Sequence, residues 1–296
     1  MPNQVTVNGA SLSYVQLGPT HGADHLVMVH GLATNLAFWY APYAVSFAQR
    51  FRVTLFDLRG HGRSAMTEGG HTPQEQSTDL AALLDHLEID RAHFVAHSFG
   101  GVVALGLACR APTRVRSLVL ADSQVSFMRK LPTERWRNRS RVARVLSRHA
   151  IDLDIDSPTF GYELLTRIAE RLLEGKSLPD DVVELVGPAL GRLQRRTARR
   201  WLDLVERARH ALMSDDGLTP HKLGALDMPI MAMYGEHSRA CATSSVLREL
   251  WPLAQFVTIP EAGHFFPTTR SDEVMAACEW FWAREGLGRR PSSVAI

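Results

Sequence analysis

At 296 residues the chain exceeds one minimal domain and can hold a single large α/β core or a core with an insertion. Its 33 basic and 31 acidic side chains nearly cancel, which argues against a general electrostatic attraction to nucleic acid or membrane. Three cysteines, Cys109, Cys241 and Cys278, are too few and too scattered for a disulfide framework or a metal-ligand spacing, so reduced thiols in a cytoplasmic protein are expected.

The N-terminal MPNQVTVNGASLSYVQLG alternates like two strands around an Asn8-Gly9 turn and lacks the basic-then-apolar pattern of an export signal. The apolar runs HLVMVHG (25–31), FRVTLFD (51–57), AHFVAHS (92–98) and SLVLAD (117–122) then predict buried strands, and none is long enough to span a membrane. Helical patterns such as NLAFWYAPYAVSFAQ and PQEQSTDLAALLDHL separate them. This alternation predicts an α/β fold with a mostly parallel sheet flanked by helices, whose first part is 1–122.

From 123 to 217 no buried strand is evident. Four helices are expected there, punctuated by Ser157-Pro158, Leu178-Pro179 and Gly187-Pro188. In the last of them Trp201, Leu204, Val205, Ala208, Ala211 and Leu212 fall on one stripe at helical spacing. Strands return at PIMAMYG (229–235) and QFVTIPEAG (255–263), followed by a helix over Ser271 to Arg284. Residues 218–286 thus complete the sheet domain around an inserted helical lid, and 287–296 form a tail expected to be disordered.

The first candidate for chemistry is Ala96-His97-Ser98-Phe99-Gly100, where a strand runs straight into a helix. A serine on such a turn exposes its hydroxyl above the sheet, which makes Ser98 a candidate nucleophile. It could equally be the N-cap of the helix. The small-x-Ser-x-Gly pattern resembles the nucleophile elbow of the α/β-hydrolase family, with Ala96 where that family usually has Gly. The resemblance extends over nearly the whole chain.

His30-Gly31-Leu32 resembles the family's oxyanion turn, which implies that the backbone N–H groups of Leu32 and Phe99 hold the developing alkoxide, each contributing about 3 to 4 kcal/mol. Asp57-Leu58-Arg59-Gly60-His61-Gly62-Arg63-Ser64 matches a loop of the family in which the charged side chains are expected to tie the loop down. Gly263-His264-Phe265-Phe266-Pro267 matches the segment carrying the general base, His264. The mechanism implied is nucleophilic: His264 takes the Ser98 proton during attack and returns it to the leaving group, while a third group orients the imidazole.

Most members of the family carry that third group as an aspartate after the strand equivalent to PIMAMYG, where this chain reads Gly235-Glu236-His237-Ser238. Serine can accept from imidazole but cannot balance an imidazolium charge. Glu236 lies two residues away, about 6 to 7 Å of extended chain, more than one methylene recovers. Asp227 precedes the strand and falls at its opposite end. Asp122 ends the strand that neighbours the nucleophile strand, and some branches of the family place their acid there. Asp122 is therefore the leading candidate, with Glu236 and a Ser-His dyad or water-linked arrangement as alternatives.

Phe127, Met128, Trp136 and Trp201 could line a pocket beneath the lid and favour a hydrophobic acyl or aryl group. The stretch 129–148 is basic, with Arg129, Lys130, Arg135, Arg137, Arg139, Arg141, Arg144 and Arg148 against Glu134; it reads as a solvated face, or as a dock for an acidic substrate or an acidic carrier protein. The expected activity is hydrolysis of a carboxylic ester, lactone or thioester without metal or organic cofactor. Carbon-carbon bond hydrolysis and cofactor-free oxygenation use the same residues, and a ligand receptor with vestigial hydrolysis is the alternative of another class.

Overall fold

The computed structural model describes residues 2–187 and 194–287. Among these residues eight strands form one sheet: β1 (Asn3–Val7), β2 (Ala10–Leu17), β3 (His25–Val29), β4 (Arg52–Phe56), β5 (Ala92–His97), β6 (Val115–Ala121), β7 (Ile230–Gly235) and β8 (Gln255–Ile259). Their spatial order is β1-β2-β4-β3-β5-β6-β7-β8, with β1 and β2 antiparallel and the others parallel. The hairpin turns at Asn8 and Gly9, both at positive φ, the combination that matches the twist of paired strands.

Period-two alternation distributes side chains between two cores. Phe94 and Ala96 of β5, with Leu118 and Leu120 of β6, face the helices Pro73–His86 and Phe99–Arg110; Val95, Val119 and Ala121 face Trp39, Phe47, Phe51 and Trp282. With packing partners on both faces, every residue of β5 is buried, including His93 and His97 on the face of Val95. The helix Pro73–His86 starts with a capping box between Thr72 and Glu75 and with proline in its first turn.

The expected helix over 35–49 is broken. Ala41 adopts an extended conformation because the residue before a proline is driven out of the helical region, and Pro42 follows it. Among the described residues, helices Ser126–Arg129, Arg139–Arg148, Phe160–Leu173, Asp180–Val186 and Arg195–Leu212 occupy 123–217, one short helix more than expected, and a further short helix, Pro220–Gly224, precedes β7. In the last, Trp201, Leu204, Ala208 and Leu212 are buried, whereas Val205 and Ala211 lie at the edge of the stripe. Residues 288–296 of the expected tail, and Pro188, lie outside the described residues.

The charged loop 57–64 is tied down by its own side chains. The Asp57 carboxylate accepts from the N–H groups of Leu36 (2.7 Å) and Arg63 (2.8 Å), and Arg59 grips the buried Asp79 with two 2.8 Å hydrogen bonds. Both aromatic-rich cores and this loop leave the carboxyl ends of β3, β5, β6, β7 and β8 as a shared edge.

Two predictions concern this frame. A methyl group at Gly100 would lie 2.4 Å from the His30 carbonyl oxygen and 2.6 Å from that of Val29, so the helix start cannot press against β3 with any larger residue. Gly100→Ala should cost about 1–3 kcal/mol in equilibrium urea unfolding; an unchanged midpoint and slope would contradict this packing. The second concerns His61, whose Nδ1–H donates to the Arg59 carbonyl while its buried Nε2 has no partner among the described residues. Burial, and then the neighbouring His30, push its pKa down to about 3. Below about pH 6.5 the unfolded chain therefore takes up a proton that the folded protein refuses, and stability falls with pH through that window. Between pH 7.5 and 5 the loss from His61 should be about 2 kcal/mol, and His61→Gln should flatten the slope by that amount in denaturant titrations at the two pH values. Identical slopes would refute the assignment.

Candidate active site

Three strand ends converge on one set of side chains. β5 runs straight into Ser98, whose φ of 54° and ψ of −121° lie in a region that favours glycine. The strain is held in place from both sides. Ser98 N–H still donates to Ala121 O at 2.9 Å as if the strand continued, and Ser98 O already accepts from Gly101 N at 3.0 Å as if the helix had begun. Although Ser98 occupies the N-cap position, its side chain makes no capping hydrogen bond. The hydroxyl instead lies 3.0 Å from His264 Nε2.

His264 follows β8 on a loop that packs across the end of β7. A methyl group at Gly235 would stand 2.5 Å from Ala262 O and 2.6 Å from Gly263 O, so glycine at the end of β7 is what lets the loop approach. His237 N–H donates to Ala262 O (2.9 Å) and fixes the crossing. His97, immediately before Ser98, donates from Nε2 to the His264 carbonyl at 3.0 Å, and its ring lies between Phe38 and His264, with centroids 4.7 and 4.8 Å away. Burial, followed by the neighbouring His264, depresses the His97 pKa well below the usual imidazole value, so it serves as a neutral prop.

Asp122 ends β6 on the same edge, at a φ of 52°. Its N–H donates to Met233 O (2.8 Å) and its side chain is wholly buried. The carboxylate accepts from Gly235 N at 3.0 Å, from Ser238 Oγ, and from His264 Nδ1 at 2.6 Å. With Nδ1–H donating to Asp122, the imidazole presents a bare Nε2 to the Ser98 hydroxyl. Tyr234 completes the enclosure by donating its hydroxyl to Ser123 O; burial first, and the Asp122 charge next, keep that phenol neutral. Glu236 points elsewhere: its carboxylate pairs with Arg137 and accepts from Glu261 N at 3.0 Å.

The turn after β3 is oriented by two side chains. Leu58 N–H donates to His30 Nε2 at 3.1 Å, leaving His30 Nδ1–H to donate to Gly31 O (2.8 Å), and Thr34 Oγ1 donates to the same oxygen (2.7 Å). Because a trans peptide directs its C=O and N–H to opposite sides, anchoring the Gly31 carbonyl turns the Leu32 N–H the other way. Leu32, Phe99, Ser98 and His264 all line one cavity of about 470 Å³.

That cavity is walled by Val102, Trp136, Val142, Phe160, Leu164, Leu165 and Phe265 among others, together with several polar groups. Of the four aromatic or methionine residues expected to line a pocket, Trp136 does so, whereas Met128 and Trp201 are buried in the main core and Phe127 packs against it. The basic stretch is largely neutralised within the chain: Lys130, Arg137, Arg139, Arg141 and Arg148 pair with Asp215, Glu236, Asp156, Glu184 and Asp181. Glu236, His237 and Glu261 place ligand-type atoms within 4.8 Å of one another at the rim, but Arg137 and the Glu261 amide already occupy the Glu236 carboxylate, and no metal site is assigned. The contributions of Ser238, His97, His30 and Thr34 were not read from the sequence; only the serine standing at an expected acid position was a visible signal.

Comparison with known proteins places this geometry in context. A model of the alpha/beta hydrolase family matches residues 26–277. The dihydrolipoyllysine-residue acetyltransferase component of an acetoin cleaving system from Pseudomonas putida is 42% identical over 122 residues, which cover 41% of this chain and 32% of that protein. The 3-oxoadipate enol-lactonase 2 of Acinetobacter baylyi is 31% identical over 142 residues, 47% of this chain and 51% of that one. These matched stretches thus span between 32% and 51% of the relatives' lengths. The crystal structure of the enol-lactonase from Burkholderia xenovorans LB400 superposes with a TM-score of 0.69 at 25% identity, covering 95% of this chain and 100% of that one. With most of its length matched by the family model, the chain belongs to the alpha/beta hydrolase family.

Proposed function

We propose that the chain is a serine hydrolase that opens a carboxylic ester or lactone of a small, largely hydrophobic molecule through an acyl-enzyme. The observation that carries this reading is the continuous hydrogen-bonded series from Ser98 Oγ through His264 to Asp122. Serine is a poor nucleophile near neutral pH, and the bare His264 Nε2 at 3.0 Å is positioned to take its proton as the oxygen attacks the carbonyl carbon. The resulting imidazolium is stabilised by Asp122, which the N–H of Gly235 and the Ser238 hydroxyl hold in place. The Leu32 and Phe99 N–H groups receive the alkoxide. His264 then protonates the leaving alcohol, and water repeats the sequence to release the acid.

In this reading 1–122 and 218–286 form the catalytic core, and the helices of 123–217 act as a lid that shapes the pocket and excludes water. The enol-lactonase names among the relatives support a lactone or ester over a thioester. Internal pairing of most of the basic stretch supports a small-molecule substrate over an acidic carrier protein. The three free thiols support a reducing, cytoplasmic setting.

A fluorophosphonate should label the protein at Ser98, as mapped by peptide mass spectrometry, and Ser98→Ala should abolish labelling; inertness of the wild type would instead favour a receptor or a chemistry without a nucleophile. Asp122→Asn should lower kcat about 10⁴-fold with an activated ester. Adding Ser238→Asp to that variant restores a carboxylate at the adjacent strand end, and activity should rise at least about tenfold over Asp122→Asn alone. No gain would show that the neighbouring position cannot serve His264.

A further inference from the structure

The cavity wall contains five cations or potential cations besides the Ser98–His264 pair, and most have partners. Arg141 pairs with Glu184 at 2.7 Å, and His237 lies 3.4 Å from Glu261. His97 is neutral, as argued above. Arg239 is held by the carbonyls of Ser157, Asp156 and Arg129, although its buried Nε has no partner among the described residues.

Arg129 differs. It comes from the short helix Ser126–Arg129 just beyond Asp122, lines the cavity, and among the described residues makes one side-chain hydrogen bond, to Ser126 Oγ at 2.8 Å. Among the described residues no carboxylate is within ion-pair distance of it. Its nearest balancing charges are committed elsewhere: Asp216 accepts from Ser126 N (2.6 Å) and Leu218 N (3.0 Å), and Asp215 pairs with Lys130. Burial lowers the Arg129 pKa against the opposing pull of Asp216 and Asp215, so its charge is kept at a cost in desolvation. Nearby, Tyr162 also lines the cavity with a buried hydroxyl that has no partner among the described residues.

A guanidinium offers five N–H donors in a planar fork that matches a carboxylate. Among the described residues, one such fork with most of its donors uncommitted, in a wall whose other cations are paired, neutral or held by carbonyls, is complementary to a single negative charge. We propose that the substrate is an ester or lactone bearing a carboxylate, and that Arg129 binds that carboxylate while Ser98 addresses the ester carbonyl. The proposal rests on the hydrolase reading above for the identity of the reacting bond, but the anion contact itself does not require turnover. It also accounts for a mixed cavity: hydrophobic side chains hold the carbon chain, and one cation fixes which end of it enters first.

Matched pairs of esters test this. One series consists of phenyl hemi-esters of linear dicarboxylic acids from succinate to suberate, and the other of butanoate esters of ω-hydroxy acids, each compared with its terminal carboxamide. In at least one pair the carboxylate should exceed the carboxamide about tenfold or more in kcat/KM, and in Arg129→Gln that ratio should fall to near one, with Arg129→Lys between. Because each ratio is taken within one protein, the fraction folded cancels. Ratios near one throughout, or a preference unchanged in Arg129→Gln, would overturn the proposal. Isothermal titration of the same pairs into Ser98→Ala separates the two readings. Carboxylate binding about tenfold tighter than carboxamide, lost on adding Arg129→Gln, upholds the anion contact even if the wild type hydrolyses none of the esters; equal affinities in every pair refute it.

Discussion

The Asp122 carboxylate is the point on which the candidate site depends. It is wholly buried, and it joins three strand ends: its own at β6, the Gly235 amide and Ser238 hydroxyl after β7, and the His264 imidazole after β8. A buried carboxylate without such donors would be costly, so the geometry of its neighbours is enforced by the same hydrogen bonds that satisfy it. Once Nδ1–H of His264 is committed to Asp122, the opposite nitrogen has only one role open to it, and Ser98 lies there.

The backbone supports this arrangement by being strained where the site needs it. Ser98 and Asp122 both adopt positive φ at adjacent strand ends, and each keeps one ladder-like hydrogen bond to the next strand while turning out of the sheet. The neighbouring β5 and β6 are buried on both faces, so the sheet edge cannot relax without disturbing two aromatic-rich cores. Rigidity in the core and exposure at its rim are thus produced by the same elements.

Much of this was legible in the sequence because it is written in local patterns. Buried parallel strands have no solvent-facing side and read as apolar runs, as in the LVLA of β6; the elbow is one short strand-to-helix turn; and Asp122 follows directly on a strand whose direction was apparent. What escaped has long-range causes. Ser238 donates to a residue 116 positions away, and His97 supports a carbonyl 167 positions away. Arg129 could not be separated from its basic neighbours, since the carboxylates that neutralise Lys130, Arg137, Arg139, Arg141 and Arg148 come from other elements. The break at Ala41 had a local cause in Pro42, yet the helical apolar spacing around it masked the signal.

The contact between Ser238 and Asp122 bears on how other chains of this fold should be searched. Two neighbouring strand ends meet at one oxygen, so the imidazole can find its acid from either side of the same seam. A pattern that demands a carboxylate three residues after β7 rejects this chain, although the oxygen facing its histidine is supplied one strand over. Screens for degenerate members of the fold should therefore treat the ends of β6 and β7 as a single position with two addresses, and count a chain as acid-deficient only when both are empty.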